Sequence, residues 1–119
     1  MTPAAFPFPE IRRGNSLPAF QIAALSRTDG SPIPVAAAAL EIRAPAGSLL
    51  KRFSSADGSL RIDPSNTLTL ALLPGSETAA FPPGAYLYDL LVQLESGETW
   101  TVLAGPAQVT PAVTLRPTP

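Results

Sequence analysis

The chain contains no cysteine and no histidine. These two absences together remove thiolate nucleophiles, imidazole bases, Ser-His-Asp triads and metal sites built on sulfur or imidazole. No disulfide can brace the fold, so packing alone has to hold it. Charge is scarce as well: 14% of residues are charged, against about 25% in an average soluble domain. With 8 basic and 9 acidic residues the chain has no excess of either sign. It therefore lacks the positive surplus that neutralises phosphates, and nucleic acid is not expected as a partner. Long hydrophobic runs are also missing. The longest uncharged stretch, residues 99 to 115, is broken by Gly105, Pro106, Gln108 and Pro111, which makes a poor membrane span. The first residues, MTPAAFPFPEIRRG, place prolines where an export signal needs a continuous apolar core, and their arginines follow the apolar part. No signal peptide and no membrane partner are expected.

What the chain does have is proline, 15 in 119 residues, and a period-two hydrophobic pattern between its ends. The length suits one domain with a single core. Residues 1–9 carry three prolines that remove main-chain donors and hold their neighbours extended, and residues 111–119 have the same character. The sequence thus predicts extended proline-rich arms at 1–9 and 111–119 around a body at 10–110.

Within the body, LPAFQIAAL (17–25) reads as a strand that ends at the turn Thr28-Asp29-Gly30-Ser31. VAAAALEIRA (35–44) is rich in helix formers, but Leu40 and Ile42 alternate with Glu41 and Arg43, and strand is the preferred reading. SLLKRFSS (48–55) and SLRID (59–63) flank Ala56-Asp57-Gly58 as a hairpin. NTLTLAL (66–72) sets Leu68, Leu70 and Leu72 against Thr67, Thr69 and Ala71. A helical turn is expected over SETAA. In the next strand Tyr86, Tyr88, Leu90, Val92 and Leu94 form a core face, with Leu87, Asp89, Leu91, Gln93 and Glu95 on the other. The chain turns at Ser96-Gly97 into a last strand around Trp100, Val102 and Ala104, in which Pro106 is expected only near an edge or a bulge. About seven short strands punctuated by turns predict an all-β, immunoglobulin-like antiparallel sandwich. A tyrosine just after Pro83-Gly84 fits the tyrosine corner of such domains, with Tyr86 the better placed and Tyr88 the alternative.

Few groups present themselves for chemistry. Asp57, Asp63, Ser65 and Asn66 offer oxygens, but in ordinary turn sequences and with no calcium-loop spacing. Asp89, Glu95 and Glu98 read as a solvated face. No serine or threonine has a base in a local pattern, and no glycine-rich phosphate loop occurs. No catalytic, metal or cofactor site is expected. For partner contact four residues stand out. Phe6 and Phe8, on a segment stiffened by proline, are anchors suited to insertion into a partner or addition to its sheet edge, or to folding back on their own sandwich. Arg12 and Arg13, beside Gly14-Asn15, could grip a neighbour's carboxylate or simply be solvated.

Taken in order, Arg13-Gly14-Asn15, Asp29-Gly30-Ser31-Pro32, Pro83-Gly84-Ala85-Tyr86-Leu87-Tyr88-Asp89 and the region Gly97 to Gly105 resemble a family of small phage and prophage proteins similar to the immunoglobulin-like N-terminal domain of phage baseplate upper proteins. The resemblance spans nearly the whole body. It departs at Val35-Ala36-Ala37-Ala38, where the family tends to have a Leu-Thr-Gly turn. It implies a non-enzymatic virion structural or adaptor protein, in the tail, baseplate or fibre-attachment region, whose partners are other virion proteins and copies of itself. A capsid decoration protein and a small peptide- or carbohydrate-binding module are the alternatives.

Overall fold

A computed structural model of the chain describes residues 4–24, 33–64 and 67–111. The expected turn at Thr28-Asp29-Gly30-Ser31, the oxygens of Ser65 and Asn66, and the tail from residue 112 lie outside the described residues. Nine strands and one helical turn follow in chain order: β1 (Ala4–Ala5), β2 (Ile11–Arg12), β3 (Phe20–Ala24), β4 (Val35–Arg43), β5 (Leu49–Ser54), β6 (Leu60–Ile62), β7 (Thr67–Leu70), α1 (Gly75–Thr78), β8 (Gly84–Leu94) and β9 (Thr99–Thr110). They form a larger sheet in the order β1-β9-β8-β4-β5, with β2 also on β9, and a smaller sheet in the order β3-β7-β6. This arrangement, with β4, β8 and β9 as the central strands of one sheet and β3, β7 and β6 as the other, is an immunoglobulin-like sandwich.

The long hairpin β8–β9 is the spine. Along β8 the buried residues Tyr86, Tyr88, Leu90, Val92 and Leu94 alternate with exposed ones, as a strand with one face on a core must. Beside them on the same sheet lie Leu40 and Ile42 of β4 and Phe53 of β5, and across the core lie Leu60 of β6 and Leu68 and Leu70 of β7, all essentially removed from water. Each such side chain contributes about 1.5–3 kcal/mol through burial, so this one cluster supplies the cohesion that a disulfide would otherwise share. The alanine-rich segment is a strand after all. Its apolar positions Ala38, Leu40 and Ile42 face inward, and a register shift against β8 falls between Val35 and Ala37. The hairpin turns use Gly58 and Gly97 at φ of 84° and 94°, conformations that glycine adopts without a Cβ clash.

The N-terminal residues pack against the body. Of the two readings left open for them, they take the second and fold back on their own sandwich, adding to the antiparallel body two short strands that run parallel to their neighbour. β1 and β2 pair parallel to β9, Ala5 with Ala104 and Arg12 with Thr110. Between them the Phe6 and Phe8 main-chain N–H groups donate to the carbonyls of Ala104 (3.1 Å) and Pro106 (2.9 Å). The physical reason is that β9 still has an unpaired side once β8 is in place, and these donors satisfy it. Pro106 consequently sits in an interior strand with neighbours on both sides, not at an edge.

Candidate functional site

Residues 6–8 meet β9 at a point where three residue types combine. A residue's N–H and C=O point to the same side of a strand, and the Pro106 carbonyl accepts from Phe8, so its nitrogen also faces the N-terminal segment. In a regular parallel ladder the N–H of residue 106 would donate to the Phe6 carbonyl. Proline has none. The Tyr88 hydroxyl takes that role, donating to the Phe6 oxygen at 2.5 Å. Beside it, a Cβ on Gly105 would lie 2.3 Å from the same oxygen; Gly105 is needed because the backbone of Phe6 occupies the space of a side chain. Tyr88 and Gly105 are register partners across β8 and β9. One carbonyl is therefore held by a missing side chain, a missing N–H and a substitute hydroxyl. Burial raises the Tyr88 phenol above its ordinary pKa.

Phe8 then closes the clasp. It is 5% exposed and packs edge-on against Phe20 (5.8 Å between centroids) and Tyr88 (5.3 Å). Of the two readings open for Phe8, partner anchor or fold-back, the structure takes the second: its ring fills the gap between the two sheets. Phe6, by contrast, is 45% exposed.

The two arginines also separate. Arg12 is exposed, with a 3.5 Å ion pair to Glu10. Arg13 does not project toward a neighbour. It donates from Nη2 to the Ala79 carbonyl at 2.8 Å, at the end of α1, and its place as a free grip is corrected to that of a clamp between residues 13–16 and the β7–β8 connection. The clamp is extended by Thr78, whose buried hydroxyl accepts from the Gly14 N–H (3.1 Å) and donates to the Asn15 carbonyl (2.9 Å), while Ser16 Oγ accepts from the Gly75 N–H. Gly75 fits only because it lacks a Cβ, which would lie 2.5 Å from the Gly14 oxygen. Just beyond, the Tyr86 hydroxyl donates to the Pro82 carbonyl at 2.6 Å, four residues upstream, which is tyrosine-corner geometry.

The remaining polar groups of interest are also tied to main chain or to one another. Asp57 accepts from the Ser59 hydroxyl and N–H, and the hydroxyl bond in particular holds its carboxyl below the usual range. Asp63 accepts from the Thr67 N–H. Asp89, Glu95 and Glu98 are exposed, and Glu98 accepts from the Trp100 indole N–H at 3.1 Å. Among the described residues no group of three His, Cys, Asp or Glu side chains is placed to hold a metal ion.

The outer face of the larger sheet was under-read from sequence. Its β8 positions include Leu87 and Leu91, 57% and 42% exposed, and Ala37, Ala39, Ala104 and Pro106 lie on the neighbouring strands at the same level. A shallow depression of about 260 Å³ opens there beside Leu91, Ala39 and Ser54. The same face also carries charge: Asp89 lies between the two leucines across from Glu41, and Glu41 accepts from Arg43 Nε (3.0 Å) and Nη2 (2.7 Å) and from Arg52. The Arg43 bonds, then those of Arg52, hold its carboxyl below the ordinary range.

No protein-family model matches the chain, and no curated protein matches it in sequence. Among solved structures it is similar to CopC from Methylosinus trichosporium OB3b, at 14% identity and a TM-score of 0.49, with 90% of this chain and 89% of that one covered. Extracellular domains 3–5 of Drosophila OTK share 20% identity at a TM-score of 0.34, over 91% of this chain and 32% of that one. The V domain of amphioxus IgVJ-C2 shares 13% at 0.30, over 84% and 97%. Likenesses this distant carry no argument about activity. The strand order itself makes the chain an all-β, immunoglobulin-like sandwich.

Proposed function

We propose that the chain is a non-enzymatic structural or adaptor protein of a tailed bacteriophage virion, set in the tail, baseplate or fibre-attachment region and acting by packing against other virion proteins and copies of itself. The observation that carries this reading is the outer face of the larger sheet. Water-facing strand positions of a free antiparallel sheet are ordinarily polar, yet here Leu87 and Leu91 stand exposed on either side of Asp89, Leu91 beside Ala39 and Leu87 beside Arg43 and Pro106. Exposed leucines flanking a charged row in this way suit contact with a partner and support the reading. The phage setting rests on the resemblance described for Pro83-Gly84-Ala85-Tyr86-Leu87-Tyr88-Asp89 and the motifs around it. In support, the two tyrosines of that motif tie down main-chain carbonyls, roles that suit a packing module.

Quantitative mass spectrometry of purified phage particles from the source tests the reading. Presence at a small multiple matching the tail axis is expected. A capsid-scale copy number would move the protein to head decoration, and absence from particles would overturn both. In parallel, Leu87→Glu with Leu91→Glu should leave thermal unfolding close to that of the parent and abolish incorporation.

A further inference from the structure

The segment Phe6-Pro7-Phe8-Pro9 has a donor pattern that serves one side only. The Phe6 and Phe8 N–H groups point at β9 and are bonded there; the alternate positions, whose N–H groups would face away, are prolines and have none. The segment can therefore cap β9 but cannot itself extend the sheet with a further strand. The surface it occupies is equally particular. β9 offers acceptors at Ala104 and Pro106 and no main-chain donor between them, the donor being the Tyr88 hydroxyl. The gap above Gly105 admits a backbone and no side chain, and an aromatic ring two residues further on completes the core against Phe20 and Tyr88. A generic edge strand would leave these features mismatched. This chain's own first residues match all of them.

The attachment of the segment is discontinuous. Between the Ala5–Ala104 and Ile11–Val109 pairs the N-terminal side uses one residue more than β9 to cover the same stretch. The slip lies after Phe8, in the span that holds Pro9 and Glu10, between the clasp and the part fixed by β2 and the Arg13 clamp.

We infer that residues 4–8 are an exchangeable strand and that the groove formed by Tyr88, Gly105, Pro106 and Phe20 accepts the same segment of a second copy of this chain. Exchange replaces each bond and ring contact by an identical one, so its cost is confined to the pivot near Pro9 and its extent is set by protein concentration. The proline-stiffened segment loses little conformational freedom on seating. Each groove takes one segment, and the outward prolines stop further strand addition. The inference holds for the isolated protein whether or not it resides in a virion.

The native absence of cysteine gives a direct test in the full chain. Ala5→Cys and Ala104→Cys, two small substitutions at register partners, are made in separate preparations. These are mixed in denaturant, refolded together over a range of concentrations, and oxidised. Intermolecular disulfides between the two different variants should exceed the proportion set by random collision, and the excess should rise with protein concentration. Gly105→Ala in both chains, which crowds the Phe6 carbonyl, should remove the excess. A random proportion at every concentration, from samples whose unfolding shows them to be folded, would overturn the inference; the double variant Ala5→Cys/Ala104→Cys, closing within one chain under the same oxidation, shows that the disulfide can form. Absence of the protein from phage particles, by contrast, would leave this result untouched.

Discussion

Replacing Tyr88 by Phe removes one hydroxyl and keeps the ring, and so isolates the bond to the Phe6 carbonyl. The bond is 2.5 Å long and partly buried, and the main-chain donor that would otherwise serve this oxygen is missing because residue 106 is proline. A buried acceptor stranded in this way costs about 1–3 kcal/mol. The bond is only partly buried, so a loss toward the lower end, about 1–1.5 kcal/mol, is expected. A second substitution sharpens the test. Pro106→Ala restores an N–H at the ladder position that faces the Phe6 oxygen. It also loosens the unfolded chain, at a cost of about 0.4–1 kcal/mol, but that contribution recurs in the Tyr88→Phe background and cancels in a double-mutant cycle. What survives is the donor. The double variant should be more stable than the sum of the single losses predicts, by about 0.5–1 kcal/mol. Urea unfolding followed through Trp100 fluorescence measures it, with m unchanged across the set. Additivity within about 0.3 kcal/mol would refute the view that the Tyr88 hydroxyl replaces the missing N–H of residue 106.

Four further outcomes follow from the same geometry. Gly105→Ala should push the Phe6 backbone off β9, read as lost amide-exchange protection at Phe6 and Phe8 while Leu90 and Val92 stay protected; unchanged protection would contradict the close approach. Thr78→Val keeps the shape and strips partners from Gly14 and Asn15, so thermal unfolding should show a loss of about 2–3 kcal/mol, with Thr78→Ser recovering most of it. Burial raises the Tyr88 pKa above 10.0, so the folded state holds this proton more tightly than the unfolded chain. Its contribution is complete below about pH 10 and is lost as pH climbs toward the folded value; urea midpoints should fall through this window, and less steeply in Tyr88→Phe. Finally, Phe8→Ala should cost about 3–5 kcal/mol, whereas Phe6→Ala should stay within about 0.5 kcal/mol, a contrast that equal losses would abolish.

The parts of this fold that could be read from sequence are those whose cause is local. The alternation in β8 and β7 follows from each strand having one face on the core, and the hairpin turns announce themselves through Asp57-Gly58 and Ser96-Gly97. The tyrosine corner was legible for the same reason, since Tyr86 and its acceptor Pro82 lie four residues apart. The N-terminal clasp was not. Phe-Pro-Phe-Pro suits insertion into a partner as well as into its own sandwich, and its true neighbours, Tyr88, Gly105 and Pro106, lie at the other end of the chain. Arg13 was ambiguous on the same ground, because its acceptor Ala79 is far away in sequence. One signal was available and pointed the other way: Gly105-Pro106 inside a strand reads as an edge or a bulge until a donor-poor partner is known to lie alongside. The exposed Leu87 and Leu91 were visible as outward positions, but the sequence pattern does not say how much of the sheet around them is also apolar.

Where the larger sheet ends bears on how copies of this chain can meet. Its β5 edge carries Lys51, ion-paired to Glu77 at 2.7 Å, and Arg52, bonded to Glu41, and charged edge strands resist pairing with another chain. Its opposite edge is the N-terminal segment, whose outward positions at Pro7 and Pro9 have no N–H to offer. Simple edge-to-edge addition is therefore opposed on both sides, by charge on one and by missing donors on the other. For the larger sheet two routes to association remain: packing through the outer face at Leu87 and Leu91, or replacement of the N-terminal segment by that of another copy. The two use separate surfaces. Leu87→Glu with Leu91→Glu alters the face and leaves Phe6, Phe8 and their groove as they are, while Gly105→Ala crowds the groove and leaves the leucines exposed, so each variant removes one mode of association and reports on the other.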